Sequence, residues 1–218
     1  MMWENLEFWE TDYWANIKKY LNSHPFIPGR KLLFRPLITT PMHKVKVVII
    51  GKEPFFRPNK TDGLAFSDPT ECRGGLYNSF VLPTTQNLIK ECMRDVGISE
   101  PKSGSLLPWA KRGVLLWNSR LSVAENHPSS HSGLNWEALT TNILESLYKS
   151  DKKIIFIFLG HYVASLASCL PDDATVILLP SPAPLEASRG FFGSEMFSLT
   201  NRLLREAGRK KINWNLQR

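Results

Sequence analysis

Four short apolar runs constrain the fold of this chain more than any other feature. "KVKVVIIG" (44–51), "GVLLWN" (113–118), "KKIIFIFLG" (152–160) and "ATVILLPSP" (174–182) are rich in β-branched residues, and each ends in a Gly, Asn or Pro turn. Runs of this length and composition read as strands buried on both faces, as in parallel sheets. Helical patterns lie between and after them: "TQNLIKECMRDVG", "NWEALTTNILESLYKS", "GHYVASLASCL" and "SEMFSLTNRLLREAG". Strands alternating with helices predict an α/β fold, a three-layer sandwich with a central, mostly parallel four-stranded sheet and helices on both faces.

Ahead of the first strand, Leu6, Trp9, Tyr13, Trp14, Ile17 and Leu21 recur at helical spacing, so Trp3 to Leu21 is expected to form one amphipathic helix. The proline-punctuated "HPFIPGRKLLFRPLITTPMHK" reads as an irregular connection. With 218 residues, 43% of them hydrophobic, the chain supports one substantial core, and residues 1–218 are expected to form a single domain. The three cysteines, Cys72, Cys92 and Cys169, lack the paired spacing of a disulfide framework or a zinc site. An intracellular, reducing compartment follows. No run is long and apolar enough to span a bilayer, and "MMWENLEFWE" is unlike a signal or transit peptide, which points to cytoplasm, nucleoid or nucleus. A net charge of +7 favours a polyanionic partner, although the same excess also serves solubility.

In an open α/β sheet, ligands bind beyond the carboxyl ends of the strands, so functional residues are sought there. "GKEPFF" follows the first strand, Asn118 ends the second, Gly160 and His161 follow the third, and "PSPAPLEASRGFFG" follows the last.

These segments carry a resemblance. "IPGRKLLFRPLITTPMHKVKVVIIGKEPFF", "LLPWAKRGVLLWNSRLSV", "SSHSGLNWEALT" and "RGFFGSEMFSLTNRLL" resemble, in order, the motifs of family 1 uracil-DNA glycosylases, over nearly the whole chain. The resemblance implies a uracil-DNA glycosylase-like fold and a monomeric enzyme acting on single- or double-stranded DNA. Such an enzyme flips uracil out of DNA and hydrolyses its bond to deoxyribose, with no metal or cofactor. It implies that Asn118 reads the polar edge of uracil, Phe66 stacks on the base and Phe55 screens its C5 position. A turn-capping role for Asn118 and a core role for Phe66 are the alternatives. Pro83, Thr84 and His161 match phosphate contacts, Leu185 the residue that wedges into the duplex, and Arg189 a DNA contact or loop support. An ordinary helix cap at Thr84 or Thr85 and a surface ion pair at Arg189 are the competing explanations.

The chain also departs from the family pattern. Glu53 stands where the family has its water-activating Asp, Lys52 where it has Gln, and Phe55 where it has Tyr. Ser181 takes the place of an electrophilic His. Glu53, Ser181 and Lys52 are therefore the catalytic candidates. The expectation is a DNA glycosylase of weakened or altered activity; the alternative is an inactive homologue that binds DNA as an accessory protein.

Overall fold

The computed structural model describes residues 2–217. Four strands, β1 (Val47–Gly51), β2 (Val114–Asn118), β3 (Ile155–Leu159) and β4 (Thr175–Leu179), form one sheet in the order β2-β1-β3-β4. Every pairing is parallel, so the sheet is wholly rather than mostly parallel. The helices are α1 (Asp12–Ser23), α2 (Arg35–Thr39), α3 (Pro83–Val96), α4 (Leu107–Lys111), α5 (Trp136–Ser150), α6 (His161–Ala164) and α7 (Met196–Glu206).

Alternation along the strands builds the layers. Val47, Ile49, Val114, Leu116, Ile155 and Ile157 point to one face, where they meet Leu88, Ile89 and Cys92 of α3, Trp109 of α4 and Phe197 and Leu204 of α7. Val48, Ile50, Leu115, Trp117, Phe156 and Phe158 point to the other, against Ile17 and Leu21 of α1, Leu37 of α2 and Leu139, Ile143 and Leu147 of α5. Each large apolar side chain buried in this way contributes roughly 1.5–3 kcal/mol. Strands β1, β2 and β3 are buried on both faces and so read as continuous apolar runs. At the sheet edge, β4 is only partly buried, with Leu178 54% exposed, which corrects the expectation for the fourth run.

The N-terminal segment corrects the expectation of one long helix. Trp3–Asn5 and Glu7–Glu10 are 3-10 turns, and α1 begins only at Asp12, after the Thr11 hydroxyl caps it by accepting from the Trp14 N–H at 3.4 Å. Leu6 and Phe8 are still buried. A helical period and a pair of 3-10 turns bury similar positions over so short a stretch, so the apolar spacing alone did not distinguish them. The segment after β3 is likewise shorter in α-helix than its pattern suggests, since α6 passes into a 3-10 turn at Ser165–Cys169. Among the described residues, no helix is long and apolar enough to cross a membrane.

Candidate active site

The sheet order places β1 between β2 and β3, so the connections from the sheet centre leave in opposite directions and a crevice opens at the carboxyl ends of β1 and β3. A cavity of about 560 Å³ fills it. Lys52, Glu53 and Phe55 line it from the turn after β1, Asn118 from the end of β2, His161 and Tyr162 from the start of α6, and Ser181 from the loop after β4. Phe66 and Thr84 complete the wall. The turns come together because parallel strands end on the same side.

Asn118 and Phe66 meet over Gly51. Gly51 and Asn118 are register partners at the ends of β1 and β2. A Cβ at Gly51 would lie 2.7 Å from the Phe66 ring and 3.1 Å from Asn118 Oδ1, so the missing side chain is what lets ring and amide close on the strand end. Asn118 is 4% exposed, and its amide has no hydrogen-bond partner among the described residues. The amide is not sealed from solvent, since the enclosed side-chain atoms without a hydrogen-bond partner among the described residues belong to His131, Ser194 and Arg209; it opens onto the cavity, where a ligand or water satisfies it. The turn-cap alternative for Asn118 therefore finds no support. Phe66 has φ 63°, a left-handed conformation that a bulky side chain rarely adopts, and its carbonyl accepts from Thr85 Oγ1 at 2.7 Å. Strain of this kind persists where the surroundings over-determine it, often at binding sites.

Glu53 is held at one oxygen. The Ser129 N–H donates to Oε1 at 3.0 Å, while Lys52 Nζ is 4.0 Å from the same oxygen. Lys52 instead donates to Ser129 Oγ at 2.7 Å. Oε2 lies 3.9 Å from an Arg120 nitrogen, beyond hydrogen-bond range, and so retains acceptor capacity. Arg120 donates from Nε to Glu137 Oε1 at 2.7 Å and from its fork to the Tyr162 hydroxyl, which in turn donates to Glu137. Burial first, and then the Glu137 carboxylate, push the Tyr162 phenol above its usual pKa, so it stays neutral. Ser181 Oγ accepts from the Ala183 N–H at 3.1 Å, which leaves its own proton free to donate.

The rim is polar and partly apolar. Leu82 occupies the N-cap of α3 without a side-chain cap, and Pro83 opens the helix, so neither Thr84 nor Thr85 is the cap. The N–H groups of the first turn are thus free to face an anion at the rim, where Thr84 sits. Asn87 of α3 donates to the Pro182 carbonyl at 2.9 Å, tying this helix to the loop after β4. Pro83 is exposed and lines neither this cavity nor the next. A second cavity of about 660 Å³ shares Gly160, His161 and Glu186 with the first and adds Leu185 and Arg189. Leu185 is 85% exposed. Arg189 is exposed as well and makes no ion pair among the described residues, which removes the surface-pair explanation for it.

Residues 39–205 match the family model described as the uracil DNA glycosylase superfamily. The chain belongs to that superfamily. It is 34% identical over 212 residues to the uracil-DNA glycosylase of Halalkalibacterium halodurans, covering 95% of this chain and 92% of that one. It is 40% identical over 190 residues to the uracil-DNA glycosylase of Coxiella burnetii, covering 87% of this chain and 81% of that one. Among solved structures, mimivirus uracil-DNA glycosylase superposes with a TM-score of 0.85 at 22% identity, over 95% of this chain and 83% of that chain.

Within this uracil DNA glycosylase fold, the structure adds four residues that the sequence did not single out: Ser129, Arg120, Tyr162 and Glu137. Arg120 lies in "LLPWAKRGVLLWNSRLSV" and Ser129 and Glu137 lie in "SSHSGLNWEALT", two of the segments that carry the resemblance, while Tyr162 lies at the start of α6. Position was a second signal: Arg120 is two residues past a strand-end Asn, and Tyr162 two past a strand-end Gly. Among the described residues, no group of three or more His, Cys, Asp or Glu side chains is arranged to hold a metal ion.

Proposed function

We propose that this chain is a DNA glycosylase, acting as one domain over residues 1–218 and as a monomer, that extrudes uracil or a related pyrimidine and hydrolyses its N-glycosidic bond. The observation that carries the reading is the Asn118 amide, which has no hydrogen-bond partner among the described residues and opens onto the cavity beside the strained Phe66. A side-chain amide both donates and accepts, which suits the O4 and N3–H edge of uracil, and the Phe66 ring offers a stacking face. Phe55 crowds the position where a C5 substituent would sit. The membership of the superfamily and relatives named uracil-DNA glycosylase support the same reaction.

Cleavage of this bond builds positive charge on the sugar and negative charge on the departing base. Glu53, with Oε2 open, orients a water and stabilises the sugar cation. The free Ser181 proton is assigned to the developing base anion, and the Lys52 ammonium, which lines the same cavity beside Glu53, adds positive charge to the site. Both differ from the family pattern described above. A Glu in place of Asp displaces the carboxylate by about an ångström, worth roughly a hundredfold, and loss of a His donor costs about a hundred- to a thousandfold. We therefore propose slow excision of uracil, or a shifted preference among pyrimidines. The first turn of α3 with Thr84, together with Pro83, His161 and Arg189, contacts phosphates of single- or double-stranded DNA, and the exposed Leu185 enters the duplex as the base leaves.

The test is incubation with oligonucleotides carrying uracil, 5-hydroxymethyluracil or thymine, scoring abasic sites. Release from at least one of the first two and not from thymine is expected. A second reading, DNA binding without chemistry, is favoured by one observation: Glu53 lies between two cations, Lys52 and Arg120, as a purely structural carboxylate would. Salt-sensitive binding with no release from any base would establish that reading instead.

A further inference from the structure

Arg120 lines neither cavity and is buried behind the first, so it does not touch a bound base. We infer that Arg120 is a positioning residue for Glu53, fixing the carboxylate from behind; the inference rests on the glycosylase reading.

The backbone sets Arg120 in place first. The Ser119 N–H donates to the Gly51 carbonyl at 2.8 Å and the Arg120 N–H to the Lys52 carbonyl at 2.9 Å, which carries the pairing of β1 and β2 two residues past the strand ends. Ser119 Oγ donates to the same Lys52 carbonyl at 2.9 Å. The peptide that leads into Glu53 is thereby bonded to the peptide that carries Arg120, and neither shifts without the other.

The guanidinium is then locked by groups from two helices. Its Nε donates to Glu137 of α5, its fork donates to the Tyr162 hydroxyl of α6, and its centre lies 4.5 Å from the centroid of the Tyr162 ring. These contacts leave one nitrogen directed to Glu53 Oε2 at 3.9 Å, while the Ser129 N–H holds Oε1. The carboxylate is thus defined at both oxygens: at one by a hydrogen bond, at the other by a charge close enough to orient it yet too far to consume its lone pair. Only a rigid fork serves Glu137, Tyr162 and Glu53 from one side chain; a lysine ammonium is a single point. The side chains of Arg120 and Glu53 are only 9% and 12% exposed, so solvent screens this interaction little. Were Arg120 present only to neutralise Glu137, its loss would alter stability without acting through Glu53.

A double-mutant cycle separates the two roles. Wild type, Arg120→Met, Glu53→Gln and the double variant are compared for single-turnover base release with enzyme in excess and long incubation, for DNA affinity and for melting temperature. Arg120→Met is expected to slow release roughly ten- to a hundredfold, as a displaced catalytic group does, with DNA affinity unchanged within about twofold. In the Glu53→Gln background it is expected to add no further loss. The same fold loss in both backgrounds, with an active wild type, overturns the positioning role and leaves the glycosylase reading intact. A wild type that releases no base overturns that reading and this inference with it. Should Arg120→Met fail to fold, Arg120→Lys, which keeps the charge and loses the fork, takes its place in the cycle with the same two outcomes.

Discussion

Glu53 poses the sharpest question at the scale of a residue, because its surroundings fit two opposite roles. A structural carboxylate would be saturated by its neighbours. Here Lys52 bonds Ser129 Oγ rather than Glu53, and Oε2, on a residue that lines the cavity, accepts no hydrogen bond among the described residues. That asymmetry is what a water-orienting group needs. Glu53→Gln preserves the shape and removes the charge, so base release should fall by about a hundredfold or more while DNA affinity holds. Abasic-site formation and a binding titration, run on the same preparation, check the two halves of that expectation. Equal release by the two proteins would remove the catalytic role. The strand-end rule made Glu53 and Asn118 legible in the sequence, because both follow buried apolar runs whose ends are easy to see. The groups that hold Glu53 were not legible. Ser129 bonds it from a distant segment, Glu137 and Tyr162 act on it only through Arg120, and a hydrogen bond from a backbone N–H leaves no mark on residue type.

Among the elements, the strands were the most readable and the N-terminal segment the least, for one physical reason. A strand buried on both faces demands an unbroken apolar run, which few other structures require, whereas the first twenty residues lie on the surface of the core and need only occasional apolar anchors. Where the anchors are sparse, 3-10 turns and a helix satisfy them equally. The carboxyl end of β1 carries a prediction of its own. Gly51→Ala would set a Cβ 2.7 Å from the Phe66 ring and 3.1 Å from Asn118 Oδ1, and the rigid strand leaves no room for it to retreat. Overpacking of this kind costs about 1–3 kcal/mol, equivalent to a fall of roughly 2–12 °C in Tm for a chain of this length. Because the displaced groups are the ring and amide proposed to take the base, release should fall more than DNA affinity. A melting curve and release kinetics test both; unchanged release would mean that Phe66 and Asn118 do not grip the base together.

Taken as a whole, the molecule combines a net charge of +7 with a cavity rim that bears both an uncapped helix end and an exposed leucine. These features make different predictions, which allows them to be separated. Charge acts through counterion release, so affinity should fall linearly on a log–log plot against salt, and Arg189→Gln should lower the slope by about one on duplex of any sequence. Leu185 carries no charge, and Leu185→Ala should leave the slope unchanged. Its proposed work is to fill the gap that an extruded nucleotide leaves in a stacked duplex, and a single strand has no such gap. The variant should therefore lose release from duplex DNA by roughly tenfold or more, the equivalent of about 1.4 kcal/mol of lost apolar contact, and lose little from single-stranded DNA. Release rates on matched single- and double-stranded oligonucleotides, measured across a salt series, test the two residues together. A loss of equal size on both substrates would assign Leu185 to the shape of the loop rather than to the duplex, and a salt slope untouched by Arg189→Gln would move the phosphate contact elsewhere on the rim.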